Sequence, residues 1–369
     1  MQLRLLEMFH LKMDLVSPFE TSFGVEKERE CIIVRIEERG GEEGWGEVPA
    51  SSGPWYSHET AKCEWHIIED FISKDVLGKE IEKPDDIWKG VISRIRGHNM
   101  AKAGVDMAIW DLYSRLEGKS LSKAIGGEKD KIESGVSIGI KDSLKSLLET
   151  VRSNVEKGYK RIKLKIKPGW DLEIVREVRK ELPDFPMHID ANGAYDMSYL
   201  RLFRELDKYN LMMIEQPFSF EDLVQHSELA KLIRTPICLD ESITSKERAV
   251  EAYRIGSCSI INVKPARIGG LTKTLELHDF CISVGIPIWI GGLLETGIGR
   301  AHLVAAASLP GVRYPNDISA SSRYYKEDIV IPEWTVKDGF IQVPRGRGIG
   351  VEVAEDTLLR FTLRRLLIR

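Results

Sequence analysis

Five residues share types and a spacing that chemistry can use: Lys165, Asp190, Glu215, Asp240 and Lys264. Each lies at or near the end of a short β-type run, and the steps between them are 25, 25, 25 and 24 residues. That interval is the length of one strand–helix unit, so the five read as residues at the ends of successive strands. Brought to one point, three carboxylates repel each other unless a cation sits among them. Oxygen ligands without His or Cys suit a hard divalent ion, Mg2+ before Mn2+, with positions open for substrate oxygens. A metal gripping a substrate carboxylate, with a lysine on each side, describes abstraction of the proton α to that carboxylate. The metal stabilises the enediolate that forms, and a neutral lysine takes the proton.

The segment "RIKLKIKPGWD" (161–171) sets Arg161, Lys163, Lys165 and Lys167 on one strand face and Ile162, Leu164 and Ile166 on the other. A lysine of ordinary pKa, about 10.4, is a poor base at neutral pH, and neighbouring cations disfavour its charged form. The ladder, with Arg267 three residues after Lys264, is therefore expected to help activate a base. In "CLDES" the adjacent Asp240 and Glu241 point opposite ways, and the period selects Asp240. Asn192 shares a face with Asp190 and is placed to reach substrate or water. Glu295 lies just beyond the seventh run as a candidate for proton handling. "GVSIG" (135–139) matches a nucleophile elbow, but Val136 and Ile138 suit an extended strand, so Ser137 is expected to be a hydrogen-bond donor atop the first run.

The elements that must position these residues follow from the same period. β-type runs occur at 133–140, 161–166, 187–193, 211–218, 236–242, 259–265 and 287–292, with a weaker one at 312–317. Helical patterns lie between them, as in "DSLKSLLETVRSNVEKG", where Leu144, Leu147, Leu148, Val151 and Val155 form one stripe. Eight strands alternating with helices predict an α/β parallel barrel over 126–317, with its site at the C-terminal strand ends. The two lysines end strands 2 and 6, opposite one another in a ring of eight, and the acids end strands 3, 4 and 5 between them. Residues 1–125 read as a separate α+β capping domain, joined by about 318–369. Its loops "SPFETSFG" and "SGPWYSHET" carry Phe19, Phe23, Trp55 and Tyr56, expected to close over the apolar part of a substrate.

Composition narrows the function classes. A length of 369 residues predicts two domains, and a net charge of -4 argues against general affinity for nucleic acid or acidic membranes. Five scattered cysteines without a C-x-x-C read as reduced thiols in a cytoplasmic protein. The first fifteen residues hold no signal-peptide core. The uncharged run from Phe280 to Leu294 is broken by Gly and Pro and is shorter than the roughly 20 residues a membrane span needs. The terminal "TLLRFTLRRLLIR" is expected to be a helix docked by its leucines.

The motifs "KLK", "DANGAY", "IEQPF", "CLDES", "NVKPARIGG" and "GGLLETGIGR", with "AKAGVDMAIWDL" in the first domain, resemble the enolase superfamily in its muconate lactonizing subgroup. More closely, "KLKIKPGWD", "PICLDES" and "SASSRYYKEDI" look like the o-succinylbenzoate synthase and N-acylamino acid racemase family. The resemblance implies a (β/α)7β barrel under an α+β cap. It implies Lys165 and Lys264 as the acid/base pair, Asp190, Glu215 and Asp240 as Mg2+ ligands, and Lys163 and Asn192 as aids to the substrate carboxylate. Partners implied are a small carboxylate substrate and further copies of the chain, with no nucleic acid and no membrane. Dipeptide epimerases of the superfamily carry Asp-x-Asp at the eighth strand, where this chain reads "NDIS", which disfavours a dipeptide ammonium group. Another cycloisomerase or epimerase of the subgroup, a Schiff-base aldolase barrel and a non-catalytic metal-binding barrel are the competing readings.

Overall fold

Seven short strands form one parallel sheet in which each strand neighbours the next in sequence: Val136–Ile138, Ile162–Lys165, Met187–Asp190, Ile214–Glu215, Ile237–Leu239, Ile260–Val263 and Ile288–Ile290. The computed structural model describes residues 1–369, apart from the side chain of residue 91. The weak eighth run is no continuous strand. It makes two isolated parallel bridges, Val312 to Ile288 and Asn316 to Ser134, and these link the last strand to the segment entering the first. A curled, barrel-like sheet results. Ile162 and Leu164 are buried on one face of their strand, and Lys163 and Lys165 are buried on the other. Most such barrels fill their interior with branched aliphatics, so an interior row of charge marks a site.

Register does the positioning. Lys165 pairs with Asp190 across one strand boundary, and Asp190 pairs with Glu215 across the next. Neighbouring partners in a parallel sheet point to the same face, so the three side chains stand side by side without help from any loop.

The cap is a four-stranded antiparallel sheet in which Leu3–Thr21 lies between the terminal strand Thr362–Ile368 and Gly24–Glu38, with Glu43–Val48 on the far edge. Helix Asn99–Leu116 packs on this sheet at backbone contact. A Cβ on Gly44 would lie 2.2 Å from the Ala108 carbonyl oxygen, and one on Gly46 would lie 2.1 Å from that of Gly104. Only glycine admits that approach. It brings "GWGEVP" against the barrel, where Glu47 accepts hydrogen bonds from Thr296 N at 3.1 Å and Gly299 N at 2.9 Å, capping helix Gly297–Ala307. His302 on that helix hydrogen-bonds Trp45 O at 2.8 Å. A second joint forms where Asp106 accepts from Thr272 N at 3.1 Å at the start of helix Leu271–Val284.

The chain end departs from the expected docked helix. Glu355–Arg360 is a short helix, but Thr362–Ile368 is a strand, paired from Leu6↔Ile368 to Leu11↔Thr362. The Leu/Arg pattern fits either element, and pairing with the first strand decides between them. No helix among the described residues is long and apolar enough to cross a membrane.

Candidate active site

At the C-terminal ends of the third, fourth and fifth strands, Asp190, Glu215 and Asp240 are fully buried, with ligand atoms within 4.8 Å of one another. Lys165 Nζ lies 2.6 Å from Asp190 Oδ2, and Lys264 Nζ lies 2.8 Å from Asp240 Oδ2. The two lysines thus approach the acid cluster from different members. Burial alone raises a carboxyl pKa, but Lys165 and Lys163 outweigh it at Asp190, and Lys264 and Arg267 do so at Asp240, holding both below the ordinary range. Glu215 goes the other way: burial and the neighbouring Asp190 charge push it up to about 8, against the pull of Lys163.

The cation ladder is a set of ion pairs rather than bare like charges. Arg161 donates to Asp317 Oδ1 at 2.7 Å and lies over the Trp289 ring. Lys163 Nζ sits 2.8 Å from Asp317 Oδ2, 3.0 Å from Asp190 Oδ2 and 3.1 Å from Glu215 Oε2. Lys167 meets Glu20 at 3.0 Å. Burial pulls the Lys163 pKa down, but Asp317, Glu215 and Asp190 overcome it and hold the pKa well above the usual value. Lys163 is thereby held as a positive charge beside Lys165, and the ladder expected to help activate a base is itself paired with Asp317, Asp190, Glu215 and Glu20.

Glu215 also accepts from Asn262 Nδ2 at 2.7 Å and contacts His188 Nε2 at 3.0 Å. Burial, Arg161 and Lys163 keep His188 neutral, so its Nε2–H donates to Glu215. Behind Lys165, Asn192 Oδ1 accepts from Nζ at 2.7 Å, and Asn192 Nδ2 donates to Glu241 Oε1 at 2.7 Å. Behind Lys264 stands Tyr56, whose hydroxyl lies 3.1 Å from Nζ and 3.0 Å from Asp240 Oδ1. Arg267 contacts the same hydroxyl at 3.1 Å and pairs with Asp240.

The lysines of this cluster, with Asn192 and Tyr56, open onto a cavity of about 940 Å³, a figure that includes open solvent at its mouth. Lys163, Lys165, Asn192, Lys264, Ser137, Glu295, Phe19, Phe23 and Tyr56 all line it. Ser137 Oγ is buried and meets no protein partner. Glu295 Oε2 accepts from Leu293 N at 2.7 Å, and burial raises its pKa. Trp55 stands apart. It is 64% exposed and does not line the cavity, bordering instead a neighbouring depression that shares Phe23, Tyr56 and Asn192 with it. The inward aromatic of that loop is its neighbour Tyr56. Sequence reasoning also missed Asp317, which neutralises two rungs of the ladder, and the role of Glu241 beneath Asn192. An acid in "YPND", at the expected eighth strand end, was the available signal for Asp317.

Comparison with known proteins gives a consistent result. Residues 146–357 match the enolase C-terminal domain-like family, and residues 6–126 match the mandelate racemase / muconate lactonizing enzyme N-terminal domain. The chain is 47% identical over 353 residues to an o-succinylbenzoate synthase of Geobacillus stearothermophilus, covering 96% of this chain and 94% of that protein. It is 41% identical over 363 residues to an N-succinylamino acid racemase of Thermus thermophilus, covering 98% of each. A crystal structure of an enolase-superfamily member from Listeria innocua superposes with a TM-score of 0.96 at 40% identity, covering 100% of this chain and 99% of that one.

Proposed function

Because the chain belongs to the enolase superfamily, with the mandelate racemase / muconate lactonizing enzyme N-terminal domain, we propose that it removes the proton α to a substrate carboxylate, as an o-succinylbenzoate synthase, an N-acylamino acid racemase, or both. The observation that carries this reading is the buried cluster of Asp190, Glu215 and Asp240, met by Lys165 at one acid and Lys264 at another.

The donor set fits a hard divalent cation. It offers carboxylate oxygens only, fully buried, with ligand atoms within 4.8 Å of one another. Asp190, Glu215 and Asp240 would hold Mg2+, with Mn2+ as a substitute. When bound, the ion supplies Lewis-acid stabilisation for the charge that gathers on the substrate carboxylate. Lys163, ion-paired with Asp317 at 2.8 Å, adds a second positive charge beside that carboxylate. Lys165 and Lys264 then address the α carbon from two faces. In racemisation one lysine takes the proton and the other returns one to the opposite face. In dehydration Lys165 takes the α proton and returns it to the departing hydroxyl, which leaves as water, while Lys264 gives electrostatic support. Phe19, Leu293 and Leu303 give the cavity an apolar wall against which an acyl group would pack. Ser137 Oγ is free to donate to the polar end of such a group. Its cysteines are unpaired, which fits a reducing cytoplasm.

The deciding assay uses purified protein with Mg2+, on the precursor of o-succinylbenzoate and on a panel of N-succinyl and other N-acyl amino acids. Turnover of either class, abolished by chelation and restored by Mg2+ or Mn2+, is the expected result. Undiminished activity in metal-free protein would remove the mechanism. Reductive trapping of a lysine–substrate adduct by borohydride would replace it with Schiff-base chemistry.

A further inference from the structure

If Asp190 and Asp240 are committed to a cation, each lysine keeps one close side-chain partner that is not a ligand. For Lys264 that partner is Tyr56, and for Lys165 it is Asn192. The Asn192 amide has only one workable orientation. The Glu241 carboxylate can only accept, so it faces Nδ2 at 2.7 Å, and this turns Oδ1 toward Lys165 Nζ at 2.7 Å. The Asn192 backbone is also fixed, at φ 44°, with its N–H 2.9 Å from Asp190 Oδ1.

Glu241 is the anomaly. It is 9% exposed and, among the described residues, its carboxylate makes one hydrogen bond, the one to Asn192. Its second oxygen is buried without a partner, and among the described residues the group forms no ion pair and caps no helix. Leaving a buried acceptor unsatisfied lowers stability, so folding gives no reason to keep a carboxylate here. We propose that Glu241 is a positioning residue for Lys165: it locks the Asn192 amide so that the carbonyl oxygen aims the lysine at one face of the substrate α carbon. The inference rests on the two-lysine reading above. It predicts an asymmetry, because Lys264 is aimed from a different direction by Tyr56 and does not use Glu241.

The test is deuterium uptake from solvent, followed by NMR on each pure enantiomer of an N-succinyl amino acid, with Mg2+-loaded Glu241→Leu and Glu241→Gln. Loss of the acceptor in Glu241→Leu should slow exchange of the enantiomer served by Lys165 by about 10–100-fold, with the other enantiomer within about twofold. Glu241→Gln keeps an oxygen toward Asn192 and should restore most of the rate. Mg2+ affinity by calorimetry should be unchanged in both. Should the leucine fail to fit, Glu241→Ala removes the acceptor without bulk and should give the same one-sided loss. Equal losses on both enantiomers, no recovery with glutamine, weakened Mg2+ binding, or no effect at all would each overturn the proposal. Lys165→Ala and Lys264→Ala serve as controls. If they do not divide the enantiomers, the two-lysine reading fails and takes this inference with it. If they do and Glu241→Leu does not, only this inference fails.

Discussion

Lys165 is held from within the barrel, by Asp190 on the next strand and by Asn192 just beyond it, whereas Lys264 takes one of its partners, Tyr56, from the capping domain. The first support follows from strand register, which places Lys165 beside Asp190 and Asp190 beside Glu215. The second depends on docking. Tyr56 is followed by Glu59, which accepts from Asn99 N at 2.7 Å and Met100 N at 2.6 Å, and Asn99 Nδ2 donates to Arg267 O at 2.9 Å. One half of the site is thus set by a sheet and the other by how two domains meet. A change at the domain joint should reach Lys264 before it reaches Lys165.

The most severe way to break the comparison is to strike what both halves share. Glu215→Gln should lower turnover by on the order of 10²–10³ or more on every substrate, while circular dichroism shows a folded barrel. An effect on one enantiomer alone would mean that the acids do not act together.

The joint itself can be loosened with acid. His302 is fully buried and bonds Trp45 O across the two domains, and burial lowers its pKa to about 4. A folded pKa below the unfolded value of about 6.5 means that the unfolded chain binds the proton first, so stability is present above that pH and falls as pH drops toward 4. Between pH 7 and pH 4 this group should remove about 3 kcal/mol. Denaturant unfolding of the protein and of His302→Gln would show it as an advantage of the parent that shrinks with acid. A difference that is flat with pH would contradict the assignment.

Tyr56→Phe sharpens the contrast by deleting one hydroxyl. A hydrogen bond to a charged partner contributes about 1.5–3 kcal/mol, so exchange on the Lys264 face should slow about 10–100-fold while the Lys165 face changes little. Equal slowing on both faces would make Tyr56 a general packing residue. The smallest effects belong to the rim. Phe19→Ala should reorder the preference among acyl groups, because Phe19 lines the cavity, whereas Trp55→Ala, mostly exposed outside it, should leave that ranking unchanged. A kcat/KM panel over several acyl groups separates the two.

The barrel half of the site was legible because each of its chemical residues sits at a fixed step on a repeating unit. The alternation in "RIKLKIK" told which cations face inward, but not that Asp317 would meet them from the segment that closes the ring beside the first strand. Tyr56 was harder. It reaches Asp240 across 184 residues of sequence, and nothing local tells which of the adjacent aromatics Trp55 and Tyr56 turns inward. The terminal segment illustrates the same limit, since its strand pairs with residues at the opposite end of the chain. Periodicity reports what a segment repeats. It does not report which distant surface the segment will meet.

The central claim is that two lysines serve two faces of one α carbon, and stereospecific solvent exchange tests it most directly. Each pure enantiomer of an N-succinyl amino acid is incubated in D2O with Mg2+ and with Lys165→Ala or Lys264→Ala, and loss of the α-proton signal is followed by NMR. The account predicts that each variant exchanges one enantiomer, the two variants choosing opposite ones, and that neither racemises. Exchange of both enantiomers at near the parent rate by either variant would contradict it.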